Sequence, residues 1–291
     1  MHPDPYPIFS IDPVAHFPEC AELPQPPKTL NMRGSLERMK GTTLLAIVGS
    51  RNYSVYGRET CESLVRGLAG YPITIVSGLA LGIDSIAHRA ALDAGLNTIA
   101  FPGSGLNWGA LYPPTHRNLA QDILDAGGAL LSEFSNDLRG VYWAFPERNR
   151  LIAGISTMTL VIEAEEKSGT LITARLATEY NKTVGAVPGA IHMHTARGSN
   201  WLLKLGAVPI TESADILREL NLAKQSAQDA KEYPLLNNEE ELVMKSLSRP
   251  KTKDQLIEEL GLDPALANIT FSTLEIKGVI RETLGLIERA P

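Results

Sequence analysis

The sequence predicts an α/β protein: a Rossmann-like, doubly wound, mostly parallel sheet followed by a small winged-helix domain. Two observations predict the sheet. From Leu44 to about Leu220, apolar runs of strand length alternate with helix-length segments, as βαβ units require. Almost every strand candidate ends in a glycine, a small hydroxyl residue or an arginine, and open α/β sheets bind ligands at the carboxyl ends of their strands. Three short helical patterns and two short β-like runs near the C-terminus predict the winged helix.

Residues 1–40 are proline-rich, show no sustained period and read as an extended arm packed on the next domain. Residues 41–222 form the Rossmann-like domain. Its strand candidates are Leu44–Gly49, Ile73–Ser77, Asn97–Phe101, Ala129–Ser132, Thr157–Ile162, Thr183–Val187 and Ala207–Ile210. Between them lie helical segments such as Tyr56–Ala69, Ile83–Ala94, Thr115–Ala126 and Leu171–Tyr180. Polar, alanine-rich residues 223–235 read as a linker. In residues 236–291, Glu239–Leu247, Lys253–Leu260 and Pro264–Lys277 are the helices, and "KGVIRETLGLIER" gives a hairpin around Gly285. The apolar residues Leu266, Ile269, Leu274 and Ile276 of the third helix are expected in the core of so small a domain.

The composition narrows the function. The chain has 291 residues, 44% hydrophobic and 21% charged, with a net charge of -6, so it is not coated in DNA-binding charge, although a local basic groove is compatible with it. No apolar run approaches a membrane span of ~20 residues, and the first residues lack the pattern of a signal peptide. Two cysteines, Cys20 and Cys61, make neither a disulfide framework nor a metal spacing, which suits a reducing cytoplasm.

The stretch "LLAIVGSRNYSVYGRE" (Leu44–Glu59) begins like a phosphate-binding turn and then departs from it. A dinucleotide fingerprint needs two further glycines at fixed offsets, whereas here Arg51 stands at the tip and the next glycine is Gly57. Arginine binds phosphate bidentately and stacks on bases. The candidate loop Gly49–Ser50–Arg51 is joined by Ser104, Gly105 and Leu106 in "PGSGLNWGALYPP". "FPERNR" adds Phe145, Arg148, Asn149 and Arg150. Phe145 could stack a base or belong to the core. Arg148 and Arg150 are two apart and point apart on a helix, so one can face a ligand while the other pairs with Glu133 or Glu163. In "EKSGTLITA", Lys167, Ser168, Gly169 and Thr170 lie at a helix start, where amide groups meet an anion or a serine caps the helix.

Other patterns carry less. Asp84 and His88 are four apart and suit a structural Asp–His hydrogen bond better than acid–base or metal chemistry. His192 and His194 alternate in a loop, with no third ligand. No nucleophile elbow, phosphate-binding lysine loop, zinc cysteine pair or carboxylate cluster appears, so no catalytic set and no metal site is expected.

In this order, "IVGSRNYSVYG", "VSGLALGIDSIAH", "PGSGLNWGALYPPTH", "LLSEF", "FPERNRLIAGIS", "VIEAEEKSGTLITARLA", "AVPGAI" and "GSNWLLKLGA" resemble the DNA-processing protein A family (DprA, also called Smf). The resemblance implies a Rossmann-like core that binds single-stranded DNA, dimerises and needs no cofactor. It also implies a role in natural transformation, where the family protects incoming strands and helps load the RecA recombinase. It places the DNA pocket at Arg51, Ser104–Leu106, Phe145–Arg150 and Lys167–Thr170. Leu81 stands where many members carry arginine, and the sequence before the core is too short for the small helical domain that often precedes it. The enzyme alternative is a phosphoribohydrolase of the lysine-decarboxylase-like type, whose "PGGxGTxxE" loop has no counterpart here. A scaffold contacting only proteins is the other alternative.

Overall fold

The computed structural model describes residues 4–222, 237–247, 250–277, 279–283 and 285–289. The segment expected as a linker, residues 223–235, lies outside the described residues. The chain divides into two compact units, Met1–Ala223 and Lys224–Pro291.

The first unit opens with β1 (Phe9–Ile11), α1 (Pro13–His16), β2 (Leu30–Gly34), β3 (Thr43–Val48), α2 (Val55–Arg66), β4 (Ile73–Ser77) and α3 (Ile83–Asp93). It continues through β5 (Asn97–Ala100), α4 (Arg117–Asp125), β6 (Ala129–Ser132), α5 (Ala144–Ile155), β7 (Met158–Val161) and α6 (Gly169–Glu179). It ends with β8 (Thr183–Ala186), α7 (Arg197–Lys204), β9 (Val208–Pro209) and α8 (Ser213–Glu219). One sheet takes all nine strands in the order β1-β2-β6-β5-β4-β3-β7-β8-β9. From β6 to β9 every pairing is parallel. The strands step outward from β3 through β4 to β6 on one side and through β7 to β9 on the other. The order therefore reverses between β3 and β7, the crevice where such folds hold ligands.

Alternation along β3 builds both layers of the core. Leu44, Ala46 and Val48 join Leu151, Ile152 and Ala174 of α5 and α6. Leu45 and Ile47 join Leu64, Ala87 and Ile216 of α2, α3 and α8. A parallel strand covered on both faces reads as a continuous apolar run, which is why "TLLAIV" gives no period-2 signal.

The N-terminal residues differ from an extended arm. They extend the sheet: β2 pairs antiparallel with β6, Asn31 opposite Ser132, and β1 pairs antiparallel with β2. Leu30 and Met32 are buried, but five residues are too few to show a period, and the partner strand lies about a hundred residues on. Between the two strands Phe17, Cys20 and Leu23 enter the core. Gly154 of α5 makes room for Leu23, because a Cβ there would fall 2.5 Å from its side chain.

The second unit holds α9 (Asn238–Ser246), α10 (Lys253–Leu260), α11 (Pro264–Ile276) and an antiparallel hairpin of β10 (Ile280–Thr283) and β11 (Leu286–Arg289). Asn237, Thr252 and Asp263 cap the three helices, as residues with a short side-chain oxygen do. The expected face of α11 is corrected in part. Ala267, Phe271 and Leu274 carry the core stripe at helical spacing, while Leu266 and Ile269 fall outside it and stand exposed. The Ile276 side chain lies outside the described residues.

Candidate nucleic-acid interface

The loops after β3 and β7 are stitched together across the switch point. The Ser50 N–H donates to the Glu163 carbonyl at 2.8 Å, and the Thr170 hydroxyl donates to the Gly49 carbonyl at 2.9 Å. Ser168 caps α6, accepting from the Thr170 N–H at 3.2 Å, and its own hydroxyl donates to Thr170 Oγ1 at 2.9 Å. Gly49, Ser50, Ser168 and Thr170 thus form one constellation. Lys167 and Gly169 stand exposed at its rim. The Glu163 carboxylate accepts from the Ser54 N–H at 2.9 Å and the Ser54 hydroxyl at 2.5 Å, fixing the start of α2. It is not a partner of either arginine in "RNR".

Arg51 is exposed and forms no ion pair among the described residues. Its guanidinium lies over the Phe145 ring, 4.9 Å from the centroid, a cation–π contact. Phe145, partly exposed at the start of α5, packs on bare backbone: a Cβ at Gly103 would fall 2.4 Å from its ring. The loops after β3, β5 and β6 therefore converge on one cation and one flat apolar face.

Arg148, one helical turn beyond Phe145, is buried at 5% exposure. Its Nη1 donates to the Gly78 carbonyl at 2.5 Å and to the Phe101 carbonyl, and its Nε to Asn149 Oδ1 at 3.0 Å. Glycine at 78 leaves room for this guanidinium, since a Cβ would fall 2.2 Å from Arg148 Nη1. The Asp84 carboxylate takes the other side of the same residue, accepting from the N–H groups of Gly78 at 3.1 Å and Ala80 at 3.4 Å. Burial pushes the Asp84 carboxyl up against the pull of Arg148. Burial lowers the Arg148 guanidinium to about 10, opposed by Asp84. The expected Asp84–His88 hydrogen bond does not form. The His88 Nδ1 meets the Thr98 hydroxyl at 2.7 Å, because Asp84, in the first turn of α3, is turned to the loop after β4.

Arg150 leaves the cluster: it pairs with Glu133 and donates to the Gln25 carbonyl at 2.8 Å. The glycine-rich loop is represented by its foundation. Ser104, Gly105 and Leu106 are all buried, the Gly105 N–H donates to the Leu138 carbonyl at 2.7 Å, and the Leu106 carbonyl accepts from Arg33 Nε at 2.8 Å. Sequence reasoning missed Gly78, a close-approach glycine whose reason lies 70 residues away, and Tyr112, whose ring stands 5.7 Å from Phe145. His192 and His194 are exposed, and no cluster of three metal-binding side chains occurs among the described residues.

Residues 10–221 match the model of the family described as DNA recombination-mediator protein A. The chain belongs to this family. Among relatives of this mediator family, Protein Smf of Escherichia coli (strain K12) is 40% identical over 225 residues, 77% of this chain and 59% of its own length. The chain thus spans little more than half of that relative. The DNA processing protein DprA of Streptococcus pneumoniae is 37% identical over 214 residues, 74% of either chain. Its X-ray structure superposes with a TM-score of 0.67 at 35% identity, covering 74% of this chain and 75% of that one. A structure of DNA processing protein A from Helicobacter pylori, described for its single-stranded DNA binding mode, gives 0.65 at 30% identity over 75% of this chain and 97% of that one. Among the described residues, no helix is long and apolar enough to cross a membrane.

Proposed function

We propose that this protein binds single-stranded DNA at the carboxyl ends of β3, β5 and β7, catalyses no reaction there, and serves recombination by protecting incoming strands and helping to load the RecA recombinase in natural transformation. The observation that carries the reading is the Arg51–Phe145 pair beside the switch point. An exposed cation without an acidic partner suits a phosphate, and the ring beneath it suits a splayed base once the guanidinium swings off its face towards that phosphate. Gly49, Ser50 and Lys167–Thr170 form the second wall of the groove, and Ser104–Leu106, Arg148, Asn149 and Arg150 hold its shape. The single-stranded DNA binding for which the Helicobacter pylori structure is described supports the same reading.

The protein acts as a cytoplasmic homodimer, since two linked grooves raise the effective concentration of the second along one strand. The second unit is a winged helix that does not read duplex DNA. Residues 236–291 carry ten acidic and seven basic side chains, a net of -3, which duplex phosphates repel. The exposed Leu266 and Ile269 suit a protein-facing role. A chain ending at residue 222 is therefore expected to keep its affinity for single strands.

Gel shifts with single- and double-stranded oligonucleotides test the central claim. Single strands are expected to bind more tightly, with log affinity falling linearly in log salt. Equal affinity for both, or no binding, overturns it. Release of free base from nucleoside monophosphates would instead establish the phosphoribohydrolase alternative.

A further inference from the structure

Tyr112 lies between two anchored residues and is itself turned outward. Leu111 and Pro113 are buried, whereas Tyr112 is 40% exposed. Its backbone is fixed by Ser104, whose buried hydroxyl accepts from the Tyr112 N–H at 3.0 Å. Ser104 is itself held, since its carbonyl accepts from the Ser132 hydroxyl at 2.7 Å. The back of the ring rests on bare glycine: a Cβ at Gly140 would fall 2.5 Å from Tyr112 Cγ. The ring is thus supported from behind by the Gly140 backbone, while a buried serine fixes the main chain that carries it. Its neighbour is Phe145, with centroids 5.7 Å apart and planes inclined at 56°.

We propose that Tyr112 is a second base-stacking platform, so that the groove holds two neighbouring nucleotides of a single strand, one base on Phe145 and one on Tyr112. The proposal rests on the single-strand reading above and adds to it a second base subsite, its position and its geometry. Two bases lying flat on rings inclined at 56° cannot stack on each other, so the strand bends between them. Neither base can then sit in the regular stack of a duplex. Stacking on an aromatic face tolerates every base, because each has a π face. Ser104 acquires a defined part here as the positioning residue of Tyr112.

The test compares the intact protein with Tyr112→Phe and Tyr112→Leu on two strands of equal length, one with bases and one of abasic sugar-phosphate, by fluorescence anisotropy. Wild type is expected to prefer the base-bearing strand. Tyr112→Phe keeps that preference, because the ring carries it. Tyr112→Leu loses about fivefold or more on the base-bearing strand, the lower end of a single stacking contact, and nothing on the abasic strand, with the wild-type salt slope and melting temperature. Equal loss on both strands, or no loss on either, overturns the second subsite while leaving single-strand binding intact. Wild type binding neither strand removes the underlying reading and the subsite with it. Should Tyr112→Leu fold poorly, wild type and Tyr112→Phe still decide: equal affinity of wild type for both strands, or lost preference in the phenylalanine variant, overturns the proposal.

Discussion

Two arginines flank Phe145 and live in opposite worlds. Arg51 lies over the ring in solvent, held by a π face and bonded to no carboxylate among the described residues. Arg148, one turn along α5, is buried, and its donors go to the Gly78 and Phe101 carbonyls and to Asn149. The first has donors to offer and the second has a loop to hold. What separates them is the company of Asp84, a buried carboxylate on the far side of Gly78. Removing a buried partner strands a charge, whereas removing an exposed one strands nothing.

The largest expected effect sharpens this contrast. Arg148→Met leaves the Asp84 carboxyl buried without its counter-charge, and stability should fall by about 3–5 kcal/mol, measured by denaturant unfolding. A variant of normal stability with weakened DNA binding would break the comparison and make Arg148 a ligand contact.

His88, buried on α3 one turn beyond Asp84, supplies the next effect. Burial lowers its imidazole to about 3, while the unfolded side chain titrates near the ordinary value of about 6.5. The unfolded state takes up the proton first, so this contribution is present in full above pH 6.5 and is lost as pH falls towards 3. At pH 5 the loss is about 2 kcal/mol. The difference in unfolding free energy between wild type and His88→Gln should narrow by that amount between pH 7 and pH 5, and a pH-independent difference would contradict it.

Arg51→Ala should leave stability almost unchanged and weaken single-strand binding by about tenfold, or ~1.4 kcal/mol, as one charge-assisted contact implies. The salt slope should fall by about one, and Arg51→Lys should recover part of the affinity, because an ammonium cannot copy the bidentate geometry. Normal binding with an early melt would make Arg51 a strut like Arg148. Smallest is Lys167→Ala, an exposed cation at the groove rim, where binding should weaken by about 0.5–1 kcal/mol in low salt and by less in high salt, read by the same titration.

The two arginines also mark where sequence reading stops. "FPERNR" announced two cations pointing apart, and the Glu133 partner of Arg150 was legible among the acidic candidates. Nothing local told that Arg148 would meet Gly78, because that contact joins residues 70 apart. The alternation of strand and helix was legible because each element carries its own pattern. The pairing of β2 with β6 was not, because five residues carry no period and the partner is remote. Gly49–Arg51 and Ser168–Thr170 were legible as strand-end loops, since small hydroxyl residues and glycine announce caps and close approaches. Ser104 and Leu106 carried the same signal while being buried, since a glycine-rich loop looks alike in sequence whether its residues face outward or inward. Tyr112 announced nothing, because its orientation depends on Leu111 and Pro113 beside it and Gly140 behind it.

The bonds that stitch the first loop have a consequence for the order of synthesis. Ser54 and Gly49 wait for Glu163 and Thr170, which follow 109 and 121 residues later. A chain emerging from the ribosome makes the first loop early, yet that loop cannot take its final form until β7 and the start of α6 have been translated and the long intervening segment has closed on itself. A nascent or truncated chain that stops before β7 carries Arg51 on an unbraced turn. The braced turn is thereby a certificate of progress along the chain: it takes its final form only in molecules made at least as far as the start of α6.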